Sequence, residues 1–340
     1  MFKPLISIVM SVYNGEKFLD AAVESMLKQT FKDFEFIIIN DGSTDKSSHI
    51  LKQISRKDKR IIIIEQENKG LISSLNIGCK KAIGEYIARM DADDICSPLR
   101  LEKQLHFLEK HPEIGIVGSQ AILIDENGRH QHRMYIPCTP KAVAWSLHFT
   151  NPIMHSVVLM RSEIIKRLGY YDHGVCHAED YDLWVRSLEI TKIANLPDVF
   201  IQRRFWPGNV CSRHQKIQHQ TIVKIMHKTI ENTLDLSIPS KIIEDLHQFD
   251  ISNYISNNSQ KIKNTADLII LLYMKYKKDY TLSRIELREI NYEAIRKMAL
   301  LAKSAMKISP FLTFYLFENI LKMNCALFLS EFRKRCFKKN

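Results

Sequence analysis

The sequence predicts an α/β fold on a mostly parallel sheet, followed by an α-helical C-terminal region. Three observations carry that expectation. Through the first 100 residues, short apolar runs alternate with amphipathic stretches, as successive βα units do. The runs end in polar or glycine-bearing turns, and the fourth runs straight into Asp91-Ala92-Asp93-Asp94. Beyond about residue 213 the strand signal fades into Lys- and Ile-rich helical segments. With 340 residues and 45% hydrophobic content, the chain can bury one large core and carry an appendage.

Residues 5–12 read as a buried first strand, and 16–29 as a helix with Leu19, Val23, Met26 and Leu27 on one face. The second strand, 34–40, stops at Asp41-Gly42-Ser43, and Asp45 is placed to cap the next helix. Residues 60–65 form the third strand, after which Asn68-Lys69-Gly70 turns into a helix ending near Gly84. The fourth strand covers 85–90. Pro98 opens another helix, 114–119 and 121–124 are further strands, and Asp125-Glu126-Asn127-Gly128 is a turn. From 151 to 204 come strand-like pieces and one helix opening at Glu179-Asp180. A boundary near 210 divides an α/β domain over 1–210 from a helical region over 211–340.

The net charge of +11 is unevenly placed. Residues 1–209 hold 27 Lys and Arg against 26 Asp and Glu, whereas 210–340 hold 22 against 12. The two regions therefore face different partners. Seven cysteines form no Cys-x-x-Cys pair, and the residues after Met1 supply neither a spanning segment nor a cleavage site. Reduced thiols and a cytoplasmic location are the expectation.

In open parallel sheets, ligands bind beyond the carboxyl ends of the strands. Ser11, Tyr13 and Asn14 stand there after the first strand, Asp41 after the second, Asn68 and Gly70 after the third. Asp91, Asp93 and Asp94 follow the fourth. In an extended backbone residues i and i+2 point the same way, so Asp91 and Asp93 aim together. Such carboxylates repel unless a cation lies between them, and oxygen-only ligation suits Mg2+ or Mn2+. An acidic turn capping the helix at Pro98 is the alternative, with Asp94 the most structural of the three. No Gly-x-Gly-x-x-Gly follows the first strand and no P-loop motif occurs, which excludes those phosphate-binding classes. Glu179-Asp180 opens Glu179-Asp180-Tyr181-Asp182-Leu183-Trp184. An acid at a helix start is held ionised by the helix dipole and can serve as a general base. Capping by either acid is the alternative; Asp182 reads as a solvated or capping acid and Trp184 as core.

Together these segments resemble family 2 glycosyltransferases of the bacterial cell-envelope polysaccharide type, over roughly residues 4–212. The resemblance rests on Ile6-Ser7-Ile8-Val9-Met10-Ser11-Val12-Tyr13-Asn14, on Gln29-Thr30-Phe31 with Ile39-Asn40-Asp41-Gly42-Ser43-Thr44-Asp45, on Asn68-Lys69-Gly70 through Gly84 to Asp94, and on Glu179 to Trp184. It implies a GT-A fold, in which a Rossmann-like mixed sheet is flanked by helices. It also implies a UDP-sugar donor, a divalent metal (Mn2+ or Mg2+) and an inverting single displacement. Ser11 and Tyr13 would line the base pocket and Asp41 would accept the ring N–H of a uracil. Asp91 would lie near the ribose and the metal, Asp93 would be the principal metal ligand, and Asp180 the catalytic base with Glu179 on the acceptor side. His155 matches a histidine common in the subgroup and is placed near donor or acceptor. One departure stands out: Trp206 and Cys211 occupy positions where many relatives carry histidine and serine. Arg203 or Arg204 is the cation available there to meet phosphate charge.

A nucleotidylyltransferase would need a basic, Gly-rich loop after the first strand, which Ser11-Val12-Tyr13-Asn14-Gly15 does not supply. A non-catalytic nucleotide-sugar binder would lack acids at 93 or 180. Nucleic-acid binding would interleave basic and aromatic residues around a recognisable module, and none is present. Residues 298–340 mix apolar clusters with Lys307, Lys322, Arg333-Lys334-Arg335 and Lys338-Lys339, too often broken by charge to span a bilayer. The expected acceptor is a lipid-linked envelope glycan such as lipopolysaccharide or capsule. The basic helices would touch the anionic cytoplasmic face of the inner membrane, or pack on the catalytic domain with their lysines in water.

Overall fold

The structure is a computed structural model and describes residues 3–206, 215–252 and 258–336. The boundary expected near 210, Cys211 and the Lys338-Lys339 pair lie outside the described residues. Two compact units are formed. One holds the chain up to Pro140 together with Pro152–Thr221; the other holds Lys141–Asn151 and the chain from Ile222 onward.

In the first unit β1 (Ile6–Val12), β2 (Phe34–Asp41), β3 (Ile61–Gln66) and β4 (Tyr86–Asp91) run parallel in the order β3-β2-β1-β4. The crossovers are α1 (Leu19–Leu27), α2 (Ser47–Ser55) and α3 (Leu71–Lys81). All of β2 and nearly all of β1 is buried, which is why both read as unbroken Ile, Val and Phe runs. Past β4 the sheet becomes mixed. The later elements are β5 (Ile95–Cys96), α4 (Arg100–Lys110), β6 (Ile114–Ile124), β7 (His130–Met134), a 3-10 turn at His155–Val157, β8 (Leu159–Arg161), α6 (Ser162–Arg167), α7 (Glu179–Ser187) and β9 (Lys192–Arg204); α5 (Pro140–Ser146) falls between β7 and the turn. β8 pairs antiparallel with both β4 and β6, β6 runs parallel with β9, and β5 closes against β9. This is the mixed, helix-flanked sheet expected of a GT-A fold.

The strands read separately at 114–119 and 121–124 are one strand whose register against β9 shifts on both sides of Gln120. The polar interruption marks a bulge rather than an end. β5 is two residues long and β7 reads His-Gln-His-Arg-Met, so neither carried a strand signal.

Arg100 is wholly buried and fastens α4 to the seam between β4 and β8. Its guanidinium donates to the carbonyls of Arg89 (2.8 Å), Val158 (2.9 Å) and Ser156 (3.2 Å), and Nε donates to Gln104 (3.0 Å). Backbone dipoles here do the work of a counter-ion.

The second unit gathers residues 141–151 with the part of α8 (Gln215–Leu234) from Ile222 onward, α9 (Ser240–Ser252), α10 (Ser259–Asp279), α11 (Arg284–Ala305) and α12 (Pro310–Cys336). Trp145, fully buried, meets Phe149, Tyr273 and Tyr276 edge-on at 5.1, 6.2 and 5.5 Å. The Tyr276 hydroxyl donates to the Lys141 carbonyl at 2.7 Å. Ser283 and Glu286 form a capping box that starts α11. Among the described residues no helix is long and apolar enough to cross a membrane.

Replacing Arg100 with Leu removes every one of these side-chain hydrogen bonds, leaving the Val158 carbonyl only its bond from the Arg89 N–H, and a loss of about 3 kcal/mol is expected. Urea unfolding should show a lower midpoint at unchanged slope.

Candidate active site

Strand register assembles the site. Ser11 lies opposite Asp91 across β1 and β4, while Val12 faces Asn40 and Asp41 faces Gln66. The carboxyl ends of four strands thus present their polar residues at one edge, where the strand order turns back past β1.

Asp41 is buried, and its carboxylate holds the turn at 68–70. Oδ1 accepts from Gln66 Nε2 (2.6 Å) and the Lys69 N–H (2.8 Å), and Oδ2 accepts the Gly70 N–H (2.9 Å). Gly42 permits this approach: its φ is +69°, and a Cβ there would meet the Asn68 nitrogen at 2.6 Å. Across the edge, Asn14 takes φ 50° and accepts the Thr44 N–H at 2.8 Å. Asp45, expected as the cap of α2, stands one residue before the N-cap Lys46; it accepts the Ser47 N–H (2.9 Å) and also the Glu16 N–H (3.0 Å), which ties the loop after β1 to the loop after β2. Tyr13 is 54% exposed beside a half-buried Ser11.

One oxygen from each of Asp91, Asp93 and Asp94 lies within 4.8 Å of the others. Burial, then the Asp91 and Asp93 charges, push the Asp94 carboxyl up to about 8. Asp93 is raised by the same two causes, burial and Asp91. Each pocket wall supplies a restraint. The Arg204 N–H donates to Asp94 (2.8 Å), Arg204 Nε donates to the Asp93 carbonyl (2.9 Å), and the Trp206 indole N–H donates to Asp93 Oδ2 (3.0 Å). Arg204 also donates to the carbonyls of Asp125 and Glu126 and lies 4.4 Å from the Phe18 ring, whose edge Trp206 meets at 5.4 Å. Arg204, expected near phosphate, spends these donors on the loops that shape the site. Three hard carboxylate oxygens brought this close together fit a small divalent cation. When bound, such an ion would offset negative charge on a departing diphosphate.

Glu179 and Asp180 open α7 as expected. Glu179 is buried, and burial followed by the Asp180 charge pushes its carboxyl up to about 7. Asp180 is half-buried and accepts the Tyr181 N–H at 2.8 Å, so it satisfies a first-turn donor while remaining reachable. Asp182 pairs with Arg186 at 2.7 Å and Trp184 is fully buried core. His155 shares a 2.8 Å hydrogen bond between Nε2 and the Tyr171 hydroxyl. Burial, with the Arg89 charge adding, holds its imidazole well below the usual range and so neutral. Asn76 exchanges two hydrogen bonds with the Tyr171 backbone, which fixes the loop beneath.

Arg89 was not singled out from the sequence. It is 2% exposed within β4 and donates through Nη1 to Asp91 Oδ1. Its charge also acts on Glu179 and His155, and the Asp91 charge reaches Glu179 too. The two acid groups therefore share one electrostatic neighbourhood. The signal was present: a cation inside Tyr86-Ile87-Ala88-Arg89-Met90, an otherwise apolar buried strand, demands a nearby anion.

The family described as Glycosyl transferase family 2 matches residues 7–169. An uncharacterized glycosyltransferase of Haemophilus influenzae is 32% identical over 293 residues, 83% of this chain and 89% of that protein. The O-antigen biosynthesis glycosyltransferase WbnJ of Escherichia coli is 37% identical over 186 residues, 54% of this chain and 72% of its own length. Among solved structures, S. aureus TarS 1-349 in complex with UDP-GlcNAc aligns with TM-score 0.56 at 17% identity, over 98% of this chain and 93% of that one. Mannosyltransferase PcManGT from Pyrobaculum calidifontis, in complex with GDP-Man and Mn2+, aligns with TM-score 0.54 at 14% identity, over 100% and 89%. At these identities the structural likeness speaks for the fold.

Carboxyls raised to about 7 and about 8 take up protons on folding, since in the unfolded chain they ionise near about pH 4. Between those limits the folded state binds more protons, so stability falls as pH rises from about 4 through about 8. Without added metal the melting temperature should decline across that window, and Asp94→Asn should flatten its upper part. Added Mg2+ or Mn2+ should raise the melting temperature more at pH 8 than at pH 5.

Proposed function

The chain belongs to glycosyl transferase family 2, and on that premise we propose that it moves a sugar from a UDP-sugar to a hydroxyl of a lipid-linked cell-envelope glycan, with inversion. The observation that carries this reading is the cluster of three carboxylates at the carboxyl end of β4, with the acids that open α7 within reach of its charge. Asp91 ends β4 with Asp93 and Asp94 just past it, Glu179 and Asp180 begin α7, and the Asp91 charge acts on Glu179.

In this reading Ser11, Tyr13 and Asp41 line the base pocket, the exposed Tyr13 ring offering a stacking face and Asp41 its remaining lone pair. Asp93 and Asp91 hold the divalent cation, Mn2+ or Mg2+. Asp180 is the base because it is the reachable acid of its pair, while the buried Glu179, near half-protonated at neutral pH, stands on the acceptor side. The acceptor oxygen bonds to the anomeric carbon, its proton passes to Asp180, and the bond from that carbon to the diphosphate breaks, with the electron pair leaving on UDP. His155, neutral and hydrogen-bonded to Tyr171, borders this region as a fixed polar wall.

Support for the donor comes from TarS, whose structure holds UDP-GlcNAc, and for the cation from PcManGT, which holds Mn2+. The O-antigen role in WbnJ's name supports an envelope glycan as acceptor. Transfer then takes place at the cytoplasmic face of the membrane that bears the acceptor.

A nucleotide-release screen over several UDP-sugars and GDP-mannose, with Mn2+, Mg2+ or chelator, tests the reading. A UDP-sugar with divalent metal should give turnover and chelation should abolish it. Asp180→Asn should lower kcat by roughly 10²–10⁴-fold and keep metal-dependent UDP binding; Asp93→Ala should lose both. Robust transfer by either variant or in chelator overturns the assigned roles, and turnover with GDP-mannose alone overturns the donor.

A further inference from the structure

The last helix is apolar on two sides. Leu312, Leu316, Ile320 and Met323 on one side of α12 are buried in the helical unit. On the other side Phe311 is 89% exposed, Phe314 71% and Leu321 49%. At about 100° per residue these three fall within an arc of about 80°, opposite the buried row. A helix packed by one face ordinarily turns charge toward water. Here the water side is led by two phenylalanines, and Met306, 55% exposed, stands just before the helix. Isolated exposed apolar residues need no explanation, but a row along one helix face marks a surface with a partner.

The polar residues around that row indicate which partner. Lys303, Lys307 and Lys322 are all exposed on the same stretch. Glu318 on that side is paired with Lys322 at 2.8 Å, so those two charges offset each other, and the positive excess comes from the exposed Lys303 and Lys307 of the segment leading into α12. Basic excess extends through the region, with 22 Lys and Arg against 12 Asp and Glu over 210–340. A second copy of this chain would bring the same lysines face to face. An anionic bilayer would instead attract them while taking the rings into its headgroup boundary.

We propose that this face of α12 docks on an anionic lipid bilayer, with Phe311, Phe314 and Leu321 in the interface and Lys303, Lys307 and Lys322 above the headgroups. The contact deepens the reading of a lipid-linked acceptor, since it holds the enzyme on the surface where such an acceptor lies. Vesicle binding is measured without donor or acceptor, so the two readings fail separately.

The test is co-sedimentation of the full-length protein with vesicles of equal parts phosphatidylglycerol and phosphatidylcholine, against pure phosphatidylcholine. Binding should favour the anionic vesicles and weaken with salt. Phe311→Ser with Phe314→Ser should lower partitioning by about tenfold or more. Lys303→Gln with Lys307→Gln should remove part of the anionic preference. Tyr135→Ser, which removes an equally exposed aromatic from the other unit, should change nothing. Circular dichroism of each variant checks that the fold is kept. Equal binding to both vesicle types, or wild-type partitioning by the folded phenylalanine double variant, overturns the proposal. So does a wild-type dimer that the double variant dissolves without any vesicle binding.

Discussion

Three carboxylates are held together at the end of β4 against their own repulsion, and much of the first unit is arranged around that constraint. Left alone, Asp91, Asp93 and Asp94 would spread apart or take up protons. They are kept in place by groups from distant parts of the chain. The Ser156 hydroxyl receives the Asp91 N–H at 3.0 Å, Arg89 lies against the Asp91 carboxylate, and the end of β9 supplies Arg204 and Trp206. β9 can reach the acids because it runs beside β6 for its whole length and closes on β5, the two-residue strand that follows Asp94. The mixed half of the sheet thus positions what the parallel half presents.

Arg89 joins that cluster to the acids of α7. A guanidinium buried in a strand is costly unless anions surround it, and here Asp91 bonds to it while Glu179 lies within range of its field. The same charge adds to burial, the larger cause, in keeping His155 neutral. One buried cation therefore acts on three groups at once: it pairs with the Asp91 charge, eases that of Glu179 and adds to the burial that denies the histidine a second proton. Such coupling favours a site in which charge on one side is felt on the other.

The parallel half of the fold was legible because its strands are buried on both faces and its turns fall at polar residues. Burial writes long apolar runs, and the strand ends then name Ser11, Asp41, Asp91 and Asp93 without further help. The mixed half was less legible for a physical reason. β5, β7 and β8 are short or edge-like, so their pairing is fixed by partners far away in sequence rather than by their own pattern. Residues 141–151 join the helical unit through Trp145 and its aromatic neighbours, a tertiary preference that no local periodicity announces. Arg89 and Arg100 were missed for the opposite reason. Their local setting is plain, but the acids and carbonyls that make their burial tolerable come from other elements.

Trp206 stands where the family resemblance implies a histidine, and its chemistry differs from that of an imidazole. An indole N–H is a donor and offers no lone pair to a metal. At 3.0 Å from Asp93 Oδ2 it fixes the orientation of that carboxylate, a part a protonated imidazole would also play. Unlike an imidazole it cannot join the ligand set or change charge with pH. The edge contact with Phe18, itself under the Arg204 guanidinium, packs the ring from which that donor reaches Asp93. The donors gathered around the cluster are consequently carboxylate oxygens, the chemistry that hard divalent ions prefer. Orientation of the acids is delegated to neutral or permanently charged groups, so the protons that matter for transfer are left to the carboxylates themselves.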